Sequence, residues 1–424
     1  MHALSILHRI LSTRLPEIHA KRLASLLAAV EAVVSGSRLT LSDLGRGLSG
    51  PVAVKHNIKR IDRLLGNGSL HAEMPKLYEA LVRQCLAGIS LPLIVVDWSD
   101  LTPDRHWQLL RASVAIEGRS MTLYEEVHPQ ARATSPWVHE AFLIRINAML
   151  PPSCVPILIT DAGFRSVWFK LVNRMGWYWI GRIRNRDMVC LENDDAWVGC
   201  KTLYKLATSQ AKTLGQYYYV RNHPVPCRLV LMKRAQQGRH KKGKLGHRVR
   251  SKHSLKNASA QREPWLLAAS PKLAHLSAQA IVAVYAQRMQ IEESFRDLKS
   301  PRFGLGFSAN RSTQKNRLGV LLLVACLASF VLRLIGEVGK AKQMEFQFQS
   351  NTRRSRPVLS VIALALQLVQ HGMAAFPPRE LDAALKRLRY DHPVLQLRGE
   401  TSGSDPIDWN ASALPLTLNC SCHL

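Results

Sequence analysis

Tyr285, Arg288, Glu292 and Lys299 lie 3, 7 and 14 positions apart when counted from the tyrosine. At about 100° per residue these offsets return to nearly the same side of an α-helix. One uninterrupted helix would therefore present a phenol, a guanidinium, a carboxylate and an ammonium on a single face. Two cations flanking an acid suit a place where a metal ion and a phosphate meet. Glu292 has an immediate rival in Glu293. Glu292 follows Arg288 by four residues and Tyr285 by seven, so it shares their face, whereas Glu293 is rotated by about 100°. Any one of Tyr285, Arg288 or Lys299 could belong to an ordinary exposed helix with i,i+4 ion pairs; their common phase with Glu292 speaks against that.

Two more acids follow short apolar runs. Leu91-Pro-Leu-Ile-Val-Val-Asp97 and Val155-Pro-Ile-Leu-Ile-Thr-Asp161 both read as buried strands delivering a carboxylate at the end. An Asp in that place often does no more than cap the next turn, and Asp100, Asp104 and Asp297 are assigned to that class. Asp97, Asp161 and Glu292 together form a set of oxygen ligands united only by folding, which suits Mg²⁺ or Mn²⁺. Two such ions about 4 Å apart can activate water or a 3′ hydroxyl and stabilise the leaving oxygen of an in-line displacement at phosphorus. Phosphodiester chemistry on DNA is the expectation. Trp265, which opens the apolar stretch Trp265-Leu-Leu-Ala-Ala-Ser, is either simple core or a ring able to stack on an unpaired base. The segment from Gly238 to Leu245 resembles a phosphate-binding loop but has Leu245 where a hydroxyl is required, and the tail group Cys420, Cys422 and His423 has no further ligand nearby.

The elements that must position these residues fall into three stretches. Residues 1 to about 90 read as helices. Thr40–Leu48, the turn Ser49-Gly50-Pro51 and Val52–Leu65 have the form of a helix, a tight turn and a second helix. The second helix interleaves Lys55, His56, Lys59, Arg60 and Arg63 with Val54, Ile58, Ile61 and Leu64, so that one face packs and the other meets phosphates. From Leu91 the pattern changes to strands at Leu91–Asp97, Trp107–Ile116 and Ser120–Val127. A helix over Pro136–Leu150, a strand to Asp161, a helix at Val167–Met175 and a strand at Trp177–Ile183 complete a mixed sheet covered by helices. A β-rich basic insertion is expected over about 187–262, inside a catalytic region of 91–345. From 346 to 424 the chain offers two helices, Val358–Gln370 and Arg379–Tyr390, and then a Ser-, Gly-, Pro- and Asn-rich tail. The apolar run Leu318–Leu332, about 15 residues long, is shorter than the roughly 20 that span a bilayer and reads as a buried helix, not a membrane segment.

Charge names the class of partner. With 58 Lys and Arg against 30 Asp and Glu the chain carries a formal net charge of +28, which calls for a polyanion. No acid occurs between Ala196 and Arg262, where Lys241, Lys242 and Lys244 are the centre of a basic loop suited to a nucleic-acid backbone. The eight cysteines show no Cys-x-x-Cys pair, and the N-terminus has no apolar core followed by a small-residue cleavage site; a cytoplasmic protein with reduced thiols is expected.

The spacing Tyr285-x2-Arg288-x3-Glu292-x6-Lys299 resembles the signature of bacterial DDE transposases of insertion-sequence family four. So do Val-Asp-Trp-Ser at 96–99, Ser-Asp-Leu-Gly-Arg at 42–46, Lys-His-Asn-Ile-Lys-Arg-Ile-Asp-Arg-Leu-Leu at 55–65 and Gln-Ile-Glu-Glu-Ser-Phe-Arg-Asp-Leu-Lys-Ser at 290–300. The likeness runs from about residue 5 to 370, and the tail after about 395 does not share it. It implies a ribonuclease-H-like core with a β-strand insertion before the last acid. It also implies Asp97, Asp161 and Glu292 as the ligands of two Mg²⁺ or Mn²⁺ ions, Tyr285, Arg288 and Lys299 as groups holding DNA, and Trp265 as the stacking ring for a flipped base. The implied partners are double-stranded DNA, as terminal inverted repeats and as target, and a second copy in a synaptic homodimer. The implied route is cut-and-paste through a hairpin. A purely hydrolytic nuclease and an inactive copy acting as a DNA-binding repressor are the alternatives.

Overall fold

A computed structural model describes residues 1–184, 187–235, 247, 250–252, 254–255, 263–352 and 355–390. The basic-loop residues Lys241, Lys242 and Lys244, and the tail with Cys420, Cys422 and His423, lie outside the described residues. The fold is mixed α/β. Its contacts divide into two compact units: Met1–Leu158 together with residues 288–390, and Ile159–Gln287.

In the first unit five helices come first: α1 (His2–Arg14), α2 (Ala20–Val34), α3 (Leu41–Arg46), α4 (Val54–Leu65) and α5 (Gly68–Cys85). Side-chain oxygens set two of their starts, with Thr40 accepting from the Asp43 amide and Asn67 from the Leu70 amide. The pair α3 and α4 crosses so closely at Gly45 that a Cβ there would lie 2.6 Å from the Ile58 Cα, and Gly50 turns the chain between them at φ +126°. The interleaving expected for α4 holds only in part. Ile61, Leu64 and Leu65 are buried, but Val54 is exposed and its place inside is taken by Asn57, whose amide donates to the Leu48 carbonyl.

Strands β1 (Leu93–Asp100), β2 (Trp107–Val114) and β3 (Met121–Pro129) form antiparallel pairs in the order β3-β2-β1, and β4 (Ile157–Thr160) follows β1. β1 is longer than its apolar run suggests, so Asp97 lies inside the strand opposite Arg111 and does not end it. α6 (Pro136–Met149) separates β3 from β4.

In the second unit the order from the end of β4 is β5 (Tyr178–Arg182), β10 (Trp265–Ala269), β9 (Val225–Met232), β8 (Lys212–Tyr219), β6 (Met188–Leu191) and β7 (Val198–Gly199). The strands inserted between β5 and β10 thus continue the sheet through β9. α7 (Ser166–Arg174) stacks Phe169 on Trp179 at 4.1 Å. α8 (Ala278–Ala286) packs on β5, β8 and β9. Arg228 braces the turn before it, donating to the carbonyls of Leu273, Ala274 and Leu276.

The chain returns to the first unit with α9 (Met289–Lys299), α10 (Lys315–Ala341), α11 (Val361–Gln370) and α12 (Pro378–Tyr390). α10 is 27 residues long, well beyond its central apolar run, and by length and composition could cross a membrane. Of its most apolar window 89% is buried in this fold, where α1, α2, α4, α5, α11, α12 and β3 surround it.

Candidate active site

The helix expected to run unbroken from Tyr285 to Lys299 is two helices. α8 ends at Ala286 and α9 starts at Met289, with Gln287 and Arg288 between them still in αR conformation. The hydrogen-bond ladder tightens there to three-residue steps, Gln287 N–H to the Val284 carbonyl and Ile291 N–H to the Arg288 carbonyl. Each half takes its packing partners from its own unit, α8 from β5, β8 and β9, α9 from β1, and the unit boundary falls between Gln287 and Arg288.

Arg288, at the N-cap of α9, joins two of the expected acids. Its guanidinium donates to Asp97 Oδ2 at 3.3 Å and to Glu292 Oε1 at 2.5 Å. Asp97 Oδ1 accepts the Trp98 amide at 2.8 Å. Glu293 faces elsewhere, paired with Arg296 at 2.7 Å and Arg119 at 3.5 Å. The carboxylate that meets Arg288 beside Asp97 is therefore Glu292, and its side chain keeps 43% exposure where those of Asp97 and Arg288 keep 14%.

Several contacts fix α9 on the sheet of the first unit. Ile116 N–H donates to Gln290 Oε1 at 3.0 Å, Arg119 binds Asp297 at 2.9 Å, and Arg111 reaches Ser294 Oγ at 3.4 Å. The Arg111 guanidinium lies 4.9 Å from the Phe295 ring centre and is itself held by the buried Glu125 at 2.7 Å. Lys299 donates to Ser99 Oγ at 2.7 Å and to the Asp100 carbonyl, and burial, then the Arg111 charge, lower its pKa. Asp100, Asp104 and Asp297 are all engaged in local turns or ion pairs, Asp104 through Thr102 and the His106 amide.

The remaining expected groups belong to the second unit. Asp161 directly follows β4, and its Oδ1 accepts the Gly163 amide at 2.7 Å; a Cβ on Gly163 would come within 2.9 Å of that oxygen. Tyr285 is not the open phenol that a helix face would offer, because only 3% of it is exposed. It packs nearly perpendicular to Trp265 at 4.8 Å between ring centres. Trp265 is half-buried, and the Arg234 guanidinium covers its ring at 4.4 Å. Arg182 has its pKa lowered by burial, with the Tyr285 phenol acting the other way.

On α4, Lys55, His56, Lys59 and Arg63 are exposed, whereas Arg60 is half-buried and donates to Ser25 Oγ on α2 at 3.4 Å. The helix thus offers a narrower basic face than the sequence implied.

Sequence reasoning missed Arg111 and Glu125. A signal was present for Arg111, the single charge of its strand in Leu-Leu-Arg-Ala, whereas Glu125 stands beside a second acid, Glu126, in Leu-Tyr-Glu-Glu. A lone charge in an otherwise buried strand calls for an opposite charge on its neighbour, and Glu125 stands opposite Arg111.

Asp97 and Glu292 offer only carboxylate oxygen, the donor type of a hard divalent cation, and Arg288 already supplies a positive charge to both. The residues fit such an ion. Among the described residues no three His, Cys, Asp or Glu side chains are grouped to hold a metal ion.

In comparisons with known proteins, no curated protein matches the chain. The sequence profile of a family described as Transposase DDE domain matches residues 90–331, more than half of the 424 residues.

Proposed function

The chain belongs to the transposase DDE domain family, and from that membership we propose a cut-and-paste DNA transposase whose metal-binding carboxylates are Asp97, Asp161 and Glu292. The observation that carries the proposal is Arg288, which binds Asp97 and Glu292 at once. Repulsion between two neighbouring carboxylates has to be balanced by a cation, and a site that keeps both acids beside one arginine is prepared for positive charge.

Bound Mg²⁺ or Mn²⁺, as two ions, would supply Lewis-acid stabilisation of the attacking and leaving oxygens of a phosphodiester. Asp97, Asp161 and Glu292 would hold the ions. Arg288, which binds Asp97 and Glu292, and Lys299, which binds Ser99 two residues after Asp97, would orient the phosphates of the cleaved strand. Trp265 would stack on a flipped base, with Tyr285 setting the angle of its ring and Arg234 covering one face of the indole.

The finer reading is a member of insertion-sequence family four, close to the transposase of insertion sequence ten. It has a ribonuclease-H-like core over 91–345 with a basic β-rich insertion at about 187–262, a DNA-binding region over 1–90 and a C-terminal region from 346. Lys55, Lys59, Arg60 and Arg63 of α4 would read the terminal inverted repeats, and Lys241, Lys242 and Lys244 would follow the DNA backbone. Cleavage would pass through a hairpin, and a homodimer would join the ends to target DNA.

Glu292→Gln removes one carboxylate charge at nearly constant volume. Incubated with labelled element-end DNA, a target plasmid and Mg²⁺, this variant is expected to bind the ends and yield neither excised nor joined product. Excision and joining at the wild-type rate would overturn the assignment. Nicks without joined product from the wild-type protein would make it a hydrolytic nuclease.

A further inference from the structure

One cleft of the first unit contains none of the residues assigned above to the reaction. It has a volume of about 470 Å³ and is lined by the start of α5, the end of β3, the start of α6 and the first residues of α10. That is within the size range of small-ligand sites. On its lining stands Trp137, which is 70% exposed. An indole left in water gives up a large burial energy, and such side chains are kept on surfaces mainly where a partner covers them. The approach to it is also strained. Thr134, three residues earlier, has φ +65°, a left-handed conformation that a β-branched residue enters only at a cost of about 1–3 kcal/mol.

The charges of the cleft favour an anion. Its two carboxylates are consumed internally: Glu125 holds the buried Arg111, and Glu126 accepts from Tyr124, His128 and Arg145 at 2.7–2.8 Å. Arg132 and Lys315, also lining the cleft, are exposed and have no carboxylate partner among the described residues. An exposed aromatic face beside two unpaired cations is the combination by which proteins take single-stranded nucleic acid: the base stacks and the phosphate is neutralised. A duplex would offer the phosphate but no free base.

We infer that this cleft binds one unpaired nucleotide of a DNA strand, its base on the Trp137 ring and its phosphate within reach of Arg132 and Lys315. The inference rests on the reading of the chain as a DNA-handling enzyme, but assigns a contact separate from the three acids. A strand whose end is freed or whose helix is locally opened during cutting and joining would present such a nucleotide.

The test uses the full chain with fluorescein-labelled oligothymidylate and with a duplex of equal length, by anisotropy at fixed salt. Trp137→Ala is expected to weaken oligothymidylate binding about 5- to 150-fold, corresponding to about 1–3 kcal/mol for one stacked base, and to leave duplex binding unchanged. Trp137→Phe, which keeps a ring, should recover most of the loss. Because a chain of net charge +28 binds DNA at other places too, a local readout accompanies it: ultraviolet crosslinking of an oligonucleotide carrying 5-iododeoxyuridine should attach to the peptide containing Trp137. Equal affinity of Trp137→Ala for oligothymidylate, or crosslinks confined to other peptides, would overturn the inference. A change in sedimentation of Trp137→Ala without a change in DNA binding would overturn it in favour of a contact between two copies of the chain. None of these readouts depends on cleavage, so their failure is distinct from failure of the Glu292→Gln experiment.

Discussion

Replacing Arg111 by methionine should damage the protein twice, by routes that can be separated. The side chains of Arg111 and Glu125 are 4% and 0% exposed and 2.7 Å apart. Without the guanidinium, the Glu125 carboxylate is left fully buried with the Tyr78 hydroxyl, at 3.2 Å, as its remaining hydrogen-bond donor. Breaking a buried pair from one side costs about 3–5 kcal/mol, a large part of the roughly 5–15 kcal/mol that holds a typical domain folded. Removing both charges with Arg111→Met and Glu125→Met should recover most of this, because paired apolar replacements are often neutral, less about 1 kcal/mol for the stranded Tyr78 hydroxyl. Burial already raises the Glu125 pKa, with Arg111 opposing. In the single variant that opposition is gone and the pKa rises further. The buried charge is then a penalty at pH above the folded pKa, relieved as pH falls through it and the acid becomes neutral. Urea unfolding of the parent, both single variants and the double variant at pH 7 and pH 5 measures the coupling directly. Excision should remain slow even in the stable double variant, because the contacts of Arg111 with Ser294 and Phe295, which seat the helix carrying Glu292, are lost in both. A single variant costing less than about 1 kcal/mol, or a double variant no better than the single, would refute the reasoning.

Two more perturbations test other parts of the fold. Gly45→Ala places a methyl 2.6 Å from the Ile58 Cα and should cost about 1–3 kcal/mol by forcing α3 and α4 apart, read as a lower thermal midpoint together with weaker binding to element-end DNA. His139 accepts the Trp98 indole N–H at 3.1 Å, and burial, with the His128 charge second, lowers its pKa from 6.5 to about 4. Its folded pKa lies below the unfolded one, so stability should be full above pH 6.5 and fall by about 3 kcal/mol on acidification to about pH 4; His139→Gln should flatten that part of a stability curve measured by urea unfolding.

The legible parts of this protein are those governed by local chemistry. The Ser49-Gly50-Pro51 turn between two helices and the strands around Trp107 and Met121 follow from neighbouring residues, and they stand close to where the pattern puts them. Helical phase also separates Glu292 from Glu293, which pair with Arg288 and Arg296 respectively. What the pattern could not carry was competition between distant partners. A helical run with no Gly or Pro gives no sign that its first half will be held by β5, β8 and β9 and its second by β1, and the turn at Gln287 and Arg288 results from that division. Asp97 reads as a strand end because the apolar run stops there, yet hydrogen bonding to β2 carries the strand on to Asp100. Tyr285 and Val54 fail for the same reason: phase says which residues share a face, and only the tertiary neighbours decide whether water or protein covers it.

The burial of α10 has a consequence for synthesis. Helices α1, α2, α4 and α5 pack on it, yet about 250 residues separate the end of α5 at Cys85 from the end of α10 at Ala341. At roughly 5–20 residues per second the ribosome needs on the order of ten to fifty seconds to deliver it. Throughout that interval the emerged helices lack the long helix they pack on in the finished fold. A nascent chain halted before α10 therefore exposes sticky apolar faces beside its basic ones, making truncated products candidates for chaperone capture or degradation before they can occupy DNA.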